Sequence, residues 1–122
     1  MFLEVDDVNT MKLNIRQIED VSVVDVVGRV TLGEGSSALG EALRGLAGKG
    51  QKKVLVNFAE VSYIDSSAIG ELISGYSTLS KVGGQLKLTG LSKRVKDLLL
   101  ITKNYTIFNI HDDEAAALSS FK

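Results

Sequence analysis

Polar and apolar positions alternate along this chain with two different periods. Residues 12–18 alternate polar and apolar side chains, which predicts a half-exposed strand, and residues 21–27 are almost continuously apolar, which predicts a buried one. Glu19 and Asp20 between them predict a tight turn, so the two strands are expected to pair antiparallel. Three further strands are predicted at residues 54–58, 85–89 and 106–110.

The segments between and after the later strands carry apolar residues at helical spacing, and each predicted helix turns one apolar stripe toward the sheet. The stripes are Leu39, Ala42, Leu43 and Leu46, then Ile69, Leu72, Ile73, Tyr76 and Leu79, then Val95, Leu98 and Leu99, and finally Ala116, Leu118 and Phe121. Helix caps are predicted at Ser36-Ser37, Asp65, Ser92 and Asp112-Asp113. The order ββαβαβαβα predicts one α/β domain with a mixed, mostly parallel sheet and helices packed on it.

Composition and charge restrict the function. The 122 residues have the length of one domain, with residues 1–11 expected as a loose leader and residues 12–122 as the domain. The formal net charge of −1 argues against nucleic-acid binding, and the dense basic stretch Lys93-Arg94 with Lys96 fits the solvated face of a helix. The chain has no Cys, no signal-peptide pattern and no apolar run near the ~18 residues that span a membrane. We therefore expect a cytoplasmic protein without direct membrane insertion.

The turn Asp65-Ser66-Ser67 joins a predicted buried strand to a helix. The first turn of a helix has backbone N–H groups without partners and carries partial positive charge. A side-chain oxygen caps such a turn, and a phosphate is tolerated there. Asp65 is therefore either a helix cap or a carboxylate that positions the serine hydroxyls. The two serines are either caps or a regulatory switch.

The helix after this turn has small and polar residues on its outer face. Ser67, Glu71, Ser74 and Thr78 follow one another at helical spacing, with Gly70 and Gly75 beside them. A glycine within a helix costs roughly 1 kcal/mol relative to alanine, so two of them need a physical reason. Either the small residues form a flat surface for a partner, or they allow close packing on the sheet or on a neighbouring helix.

Other patterns suggest enzymatic chemistry only weakly. Residues 33–38 have the G-x-G-x-x-A spacing of a dinucleotide loop, but Glu34 would repel phosphates and Asn57 replaces the expected ribose-binding acid. Asn57 is either a polar residue near a strand end or hydrogen-bonded in the loop above. A triad of Asp65, a serine of the turn and His111 lacks the G-x-S-x-G motif. No cluster has metal-ligand spacing, so no catalytic residue, cofactor or metal is predicted.

The sequence resembles the STAS family, which includes the bacterial anti-sigma factor antagonists and the cytoplasmic domains of sulphate transporters. The residues that carry the resemblance are Gly-Arg-Val at 28–30, the strand at 54–58 and above all Ile-Asp-Ser-Ser-Ala-Ile-Gly at 64–70. The element order and the length also match, over residues 12–121.

The resemblance implies a partner-switching mechanism without catalysis by the chain itself. An anti-sigma factor with serine-kinase activity would bind through the turn and helix, release its sigma factor, and phosphorylate the second serine, Ser67, with Ser66 as the fallback acceptor. A serine phosphatase would reverse the modification. Ser67 is expected to face solvent in the first helical turn, so the fold should survive the phosphate. The expected partner contacts are Asp65, Ser66, Ala68, Gly70, Glu71 and Ser74.

Three positions depart from the common family pattern, and two other functions stay open. Ala68 stands where the family often has Gly, residues 30–33 replace an Asp-containing stretch of the partner surface, and Asn57 replaces a frequent Asp. One alternative is a STAS subunit that docks constitutively on the ATPase of a membrane lipid-transport complex. The other is a small nucleotide-binding domain that uses residues 33–38. Size and charge allow a monomer or weak dimer.

Overall fold

A five-stranded sheet and four helices make up the part of the chain that the structure, a computed structural model, describes, which is residues 11–101 and 108–121. The elements are β1 (Met11–Ile18), β2 (Val21–Val30), α1 (Glu34–Gly48), β3 (Lys53–Ile64), α2 (Ser66–Lys81), β4 (Gln85–Thr89), α3 (Lys93–Ile101), β5 (Asn109–His111) and α4 (Glu114–Ser120). The predicted α/β class and the order ββαβαβαβα are confirmed.

The strands lie in the spatial order β1-β2-β3-β4-β5. β1 pairs antiparallel with β2, and the other neighbours pair parallel, which confirms the predicted mixed, mostly parallel sheet. Leu43 of α1, Leu72 of α2 and Leu99 of α3 share one buried core on the sheet. Ala117 and Phe121 belong to a second core, with which α4 covers part of the opposite face. The carboxyl ends of β2 and β3 therefore meet at one edge, where the turn before α2 begins.

β3 is longer than the apolar pattern predicts, because it continues six residues beyond Phe58 to Ile64. β4 pairs only with residues 53–57, so the second half of β3 pairs with β2 alone and carries exposed side chains such as Glu60. Register shifts in the β2–β3 pairing accompany this change. The extension places Asp65 immediately after the strand.

The predicted cap of α1 at Ser36-Ser37 is wrong, because the helix begins earlier, at Glu34. Its N-cap is Gly33, whose φ of +106° favours glycine, and no side chain caps this turn. Ser36 is instead buried, and its backbone N–H donates to the Thr31 carbonyl at 3.0 Å. A backbone turn at glycine thus replaces the expected hydroxyl cap.

The remaining helix predictions hold in most positions. Ser92 accepts a hydrogen bond from the backbone N–H of Val95 at 3.2 Å, and Asp113 caps α4 by accepting from the Ala116 N–H at 2.7 Å. Ala116 is exposed, however, and its neighbour Ala117 is buried in its place, since the short α4 turns a different face to the sheet than the pattern indicates.

The predicted leader and fifth strand fall partly outside the described residues. Residues 1–10 of the expected leader and residues 106–107 of the expected strand lie outside the described residues. Residues 102–105 and 122 also lie outside them. Met11, assigned to the leader, belongs to β1, and β5 spans Asn109–His111.

Candidate functional site

Asp65 forms the N-cap of α2 and orients a neighbouring hydroxyl at the same time. Its backbone is extended, with φ −118° and ψ −176°, and its Oδ1 accepts from the backbone N–H groups of Ser67 at 3.0 Å and Ala68 at 3.2 Å. The Ser67 hydroxyl also donates to Oδ1 in a short hydrogen bond. The two roles considered for Asp65 are therefore combined in one carboxylate.

The second carboxylate oxygen of Asp65 reaches the turn between β2 and α1. Oδ2 accepts from the backbone N–H of Leu32 at 2.9 Å, and the Asp65 N–H donates to the Val30 carbonyl at 3.2 Å. The side chain of Leu32 is 82% exposed. The sequence did not single out Leu32, because a contact made by its backbone N–H leaves no pattern in residue type.

Opposing influences act on the pKa of Asp65. Burial is the largest and favours the neutral acid, but the hydrogen bonds from the Ser67 hydroxyl and from the N–H groups of Leu32, Ala68 and Ser67 together outweigh it. The pKa of Asp65 is consequently held below its usual value. The carboxylate is ionised at neutral pH and accepts all of these bonds.

The two serines of the turn have different surroundings. Ser66 is exposed, whereas Ser67 is half-buried and directs its hydroxyl to Asp65. The expectation that Ser67 faces solvent therefore holds only in part. Ser67 is the serine whose oxygen is oriented by the turn, and Ser66 is the one with more open access.

The two glycines of α2 have different surroundings. One fits the close-packing explanation, and the other fits the partner-surface explanation. A Cβ atom at Gly75 would lie 2.5 Å from Leu43 Cδ1, so Gly75 allows α1 and α2 to pack closely. A Cβ atom at Gly70 would meet nothing within 4 Å. Gly70 is thus on the open face, and Gly75 belongs to the helix–helix contact.

The other predicted contact residues on α2 differ in how far they are exposed. Glu71 and Ser74 are half-buried, and Glu71 forms an ion pair with Arg44 of α1 at 3.2 Å. Gly40 makes room for this carboxylate, because a Cβ atom there would lie on Glu71 Oε1. Ala68 has 0% exposure and packs in the core, so its prediction as a partner contact is wrong.

A cleft of about 700 Å³ opens beside Ser66, between the end of β3 and α3. Its lining includes the apolar side chains of Tyr63 and Leu98 and the basic side chains of Lys93 and Arg94. Lys93 pairs with Asp97 of the same helix at 2.9 Å. The basic stretch assigned from sequence to a solvated helix face thus also borders the serine turn.

Residues with suspected enzymatic roles have structural partners elsewhere. His111 Nε2 lies 3.2 Å from the hydroxyl of Ser120 in α4, and Asn57 donates to Asp25 Oδ1 at 3.1 Å while accepting from the Ala59 N–H at 2.9 Å. Asn57 is therefore a hydrogen-bonded residue within β3. No group of three or more potential metal ligands occurs in residues 11–101 and 108–121. None of the helices described is long and apolar enough to cross a membrane.

Sequence comparison finds similarity to a domain family and to proteins named as anti-sigma factor antagonists. The STAS domain family matches residues 12–117. The anti-sigma-B factor antagonist of Bacillus subtilis is 30% identical over 100 residues, which cover 82% of this chain and 90% of that protein. A candidate anti-sigma factor antagonist of Thermotoga neapolitana is 34% identical over 70 residues, 57% of this chain and 62% of the relative, so the chain spans less than two thirds of that relative.

Solved structures share the fold at lower identity. An anti-sigma factor antagonist from Mycobacterium paratuberculosis superposes with a TM-score of 0.79 at 18% identity, covering 91% of this chain and 93% of that one. The phosphorylated form of the Bacillus protein SpoIIAA gives 0.71 at 15% identity, covering 91% and 100%. The sequence match over residues 12–117 shows that the chain belongs to the STAS domain family, and the shared fold agrees with it.

Proposed function

We propose that this chain is an anti-sigma factor antagonist whose binding is switched by phosphorylation of Ser67. Its partner is an anti-sigma factor with serine-kinase activity, and a serine phosphatase restores the binding form. Domain boundaries at residues 12–122 fit this role, since the turn and α2 lie within them. The chain acts as a binding module, and the kinase and phosphatase carry out the catalysis.

The observation that carries the proposal is the orientation of the Ser67 hydroxyl by Asp65. A fixed hydroxyl presents its oxygen to an incoming phosphoryl group in one direction, which favours transfer. The kinase would transfer the γ-phosphoryl group of ATP to Ser67 Oγ, forming an O–P bond, releasing ADP and losing the hydroxyl proton. Ser66, the exposed serine of the turn, is the fallback acceptor.

Phosphorylation is expected to change the surface and leave the fold intact. A phosphate adds roughly −1.5 to −2 charges at neutral pH. The N-terminus of α2 stabilises negative charge, so the helix tolerates the group. A partner that docks on Asp65, Ser66, Gly70, Glu71 and Ser74 meets new charge and volume at the edge of its contact.

The relatives support this switch as a kind of regulation in the family. One Bacillus relative is known as an anti-sigma-B factor antagonist, and SpoIIAA has been solved in a phosphorylated form. Because this chain shares the fold of that phosphorylated protein, the same kind of switch is a reasonable proposal for it. The residues of this chain that would carry it are the ones proposed above.

The test is phosphorylation of the purified chain by ATP and a lysate of its source organism, with the phosphate located by mass spectrometry. We expect one phosphate at Ser67, lost in Ser67→Ala and retained in the matched variant Ser66→Ala. Recombinant serine-kinase anti-sigma factors from the same organism, added one at a time, should reproduce it. Retention in Ser67→Ala with loss in Ser66→Ala would assign the switch to Ser66.

Absence of phosphate from a lysate that phosphorylates other proteins would contradict the switch. The constitutive alternative, docking on the ATPase of a lipid-transport complex, predicts binding that is equal for wild type and Ser67→Ala. The nucleotide-binding alternative predicts tight binding of a nucleotide that is lost in Gly35→Asp. A titration without a signal would remove that alternative.

A further inference from the structure

Leu32 has the most exposed large apolar side chain in residues 11–101 and 108–121. One exposed leucine by itself is ordinary on a protein surface. Leu32, however, is attached through its backbone N–H to Asp65 Oδ2, while Oδ1 of the same carboxylate holds the Ser67 hydroxyl. The Asp65 side chain thus connects the backbone of an exposed apolar residue with the proposed phosphate acceptor.

We propose that Leu32 is an apolar anchor of the partner surface, and that Asp65 makes its position depend on the phosphorylation state of Ser67. The inference deepens the proposed function and rests on it. The partner it fits is a protein with an apolar recess that receives the Leu32 side chain beside the serine turn. The recess provides the burial that an 82% exposed leucine lacks in the free chain.

This attachment holds the Leu32 end of the turn between β2 and α1. Gly33 caps α1 with its backbone alone, and no side-chain hydrogen bond closes that cap. The local bonds from Ser36 N–H to Thr31 and from Ser37 N–H to Gly33 stay within the turn and α1. The Asp65 carboxylate ties the Leu32 backbone to the start of α2, next to the bond that the Asp65 N–H donates to the Val30 carbonyl.

A phosphate on Ser67 removes the conditions that hold Asp65 in place. The esterified oxygen has no hydrogen to donate to Oδ1, and the phosphate and carboxylate repel each other. The phosphate also competes for the backbone N–H groups of Ser67 and Ala68, which Asp65 now occupies. As the Asp65 carboxylate turns away, the Leu32 N–H loses its acceptor and the backbone at Leu32 opens more often, while the Asp65 N–H stays bonded to Val30.

Hydrogen exchange at the Leu32 amide tests this coupling without any partner. Chain with phosphoserine incorporated at residue 67 during translation is compared with the unmodified chain by NMR. We expect the Leu32 amide to exchange about tenfold faster with the phosphate, since local opening sets its rate, and the Leu88 amide in β4 to stay unchanged. Ser67→Ala loses the hydroxyl bond but keeps the two N–H bonds to Asp65 and adds no charge, so Leu32 should exchange much closer to the wild-type rate than in the phosphorylated chain. Equal Leu32 rates with and without phosphate would overturn the coupling.

Binding of the anti-sigma factor that recognises the wild-type chain tests the anchor. Leu32→Ser should weaken the Kd by about tenfold or more, as expected for a buried apolar anchor. The matched control is Val82→Ser, because Val82 is 44% exposed and lies at the other end of α2. Unchanged Kd in Leu32→Ser, or equal losses in both variants, would overturn the anchor. If no kinase binds wild type, the proposed function fails and the anchor with it, while the exchange result still decides the coupling.

Discussion

Gly75 of α2 lies so close to α1 that an added Cβ atom would be 2.5 Å from Leu43 Cδ1 and 3.0 Å from Leu43 Cβ. Gly75→Ala should therefore lower the free energy of unfolding by about 1–3 kcal/mol, because Leu43 must move in a packed core. Chemical denaturation followed by circular dichroism measures the change.

The matched control is Gly70→Ala in the same helix. A Cβ atom at residue 70 meets nothing within 4 Å, and alanine gains up to about 1 kcal/mol of helix propensity. Gly70→Ala should be neutral or stabilising. Equal destabilisation by both substitutions would contradict the assignment of Gly75 to helix packing and of Gly70 to the open face.

Substitutions of Asp65 should separate the contributions of its two carboxylate oxygens to stability. Asp65→Ala loses the cap of α2 and the bond to Leu32, at a cost of about 1–2 kcal/mol in the free energy of unfolding. Asp65→Asn keeps one acceptor for the helix but turns an amide donor toward Leu32, so it should fall between wild type and Asp65→Ala. Urea denaturation of the three proteins gives the order. Wild-type stability in Asp65→Ala would show that the cap contributes nothing.

Stability should fall in acid through Asp65. Its folded pKa lies below its usual value, so its contribution is complete above the unfolded pKa and disappears as the pH falls through the folded pKa. The loss begins near pH 4, since the unfolded carboxyl titrates at about 3.9. Asp25 behaves in the same direction, chiefly through its hydrogen bond with Arg16. Asp65→Asn should flatten the pH profile only in part, and an identical profile would refute the role of Asp65.

Asn57→Asp should destabilise the paired strands. Asn57 donates to Asp25, and a carboxylate in its place would put two negative charges in contact. We expect a loss of about 1–3 kcal/mol at neutral pH. The second substitution Asp25→Asn should restore much of it, which a double-mutant cycle measures. Additive losses in the double variant would show that the two side chains do not interact.

Local chemistry made the turn before α2 predictable from sequence. An aspartate cap followed by an amphipathic stripe needs only neighbouring residues, and the structure has Asp65 at the predicted N-cap and Leu72 in the core. The order of elements was predictable for the same reason. Ser92 and Asp113 likewise cap the helices that follow them.

Features that depend on distant backbone were missed. The second half of β3 lies beyond the end of β4 and carries polar residues, and its extent to Ile64 depends on pairing with the distant strand β2. The start of α1 was misplaced because Gly33 enters the helix through its backbone, without a hydroxyl signal. Leu32 escaped for a similar reason, since its link to Asp65 is made by an N–H that every non-proline residue has.

The several hydrogen bonds of Asp65 constrain how this surface can diversify. A substitution there that suited a new partner would also disturb a helix start and a neighbouring turn. By contrast, a Cβ atom at Gly70 would meet no neighbouring atom within 4 Å, and the side chain of Leu32 is exposed, so neither position is constrained in the same way. Changes of specificity in descendants of this sequence would therefore accumulate around Asp65 while the residue itself stays the same.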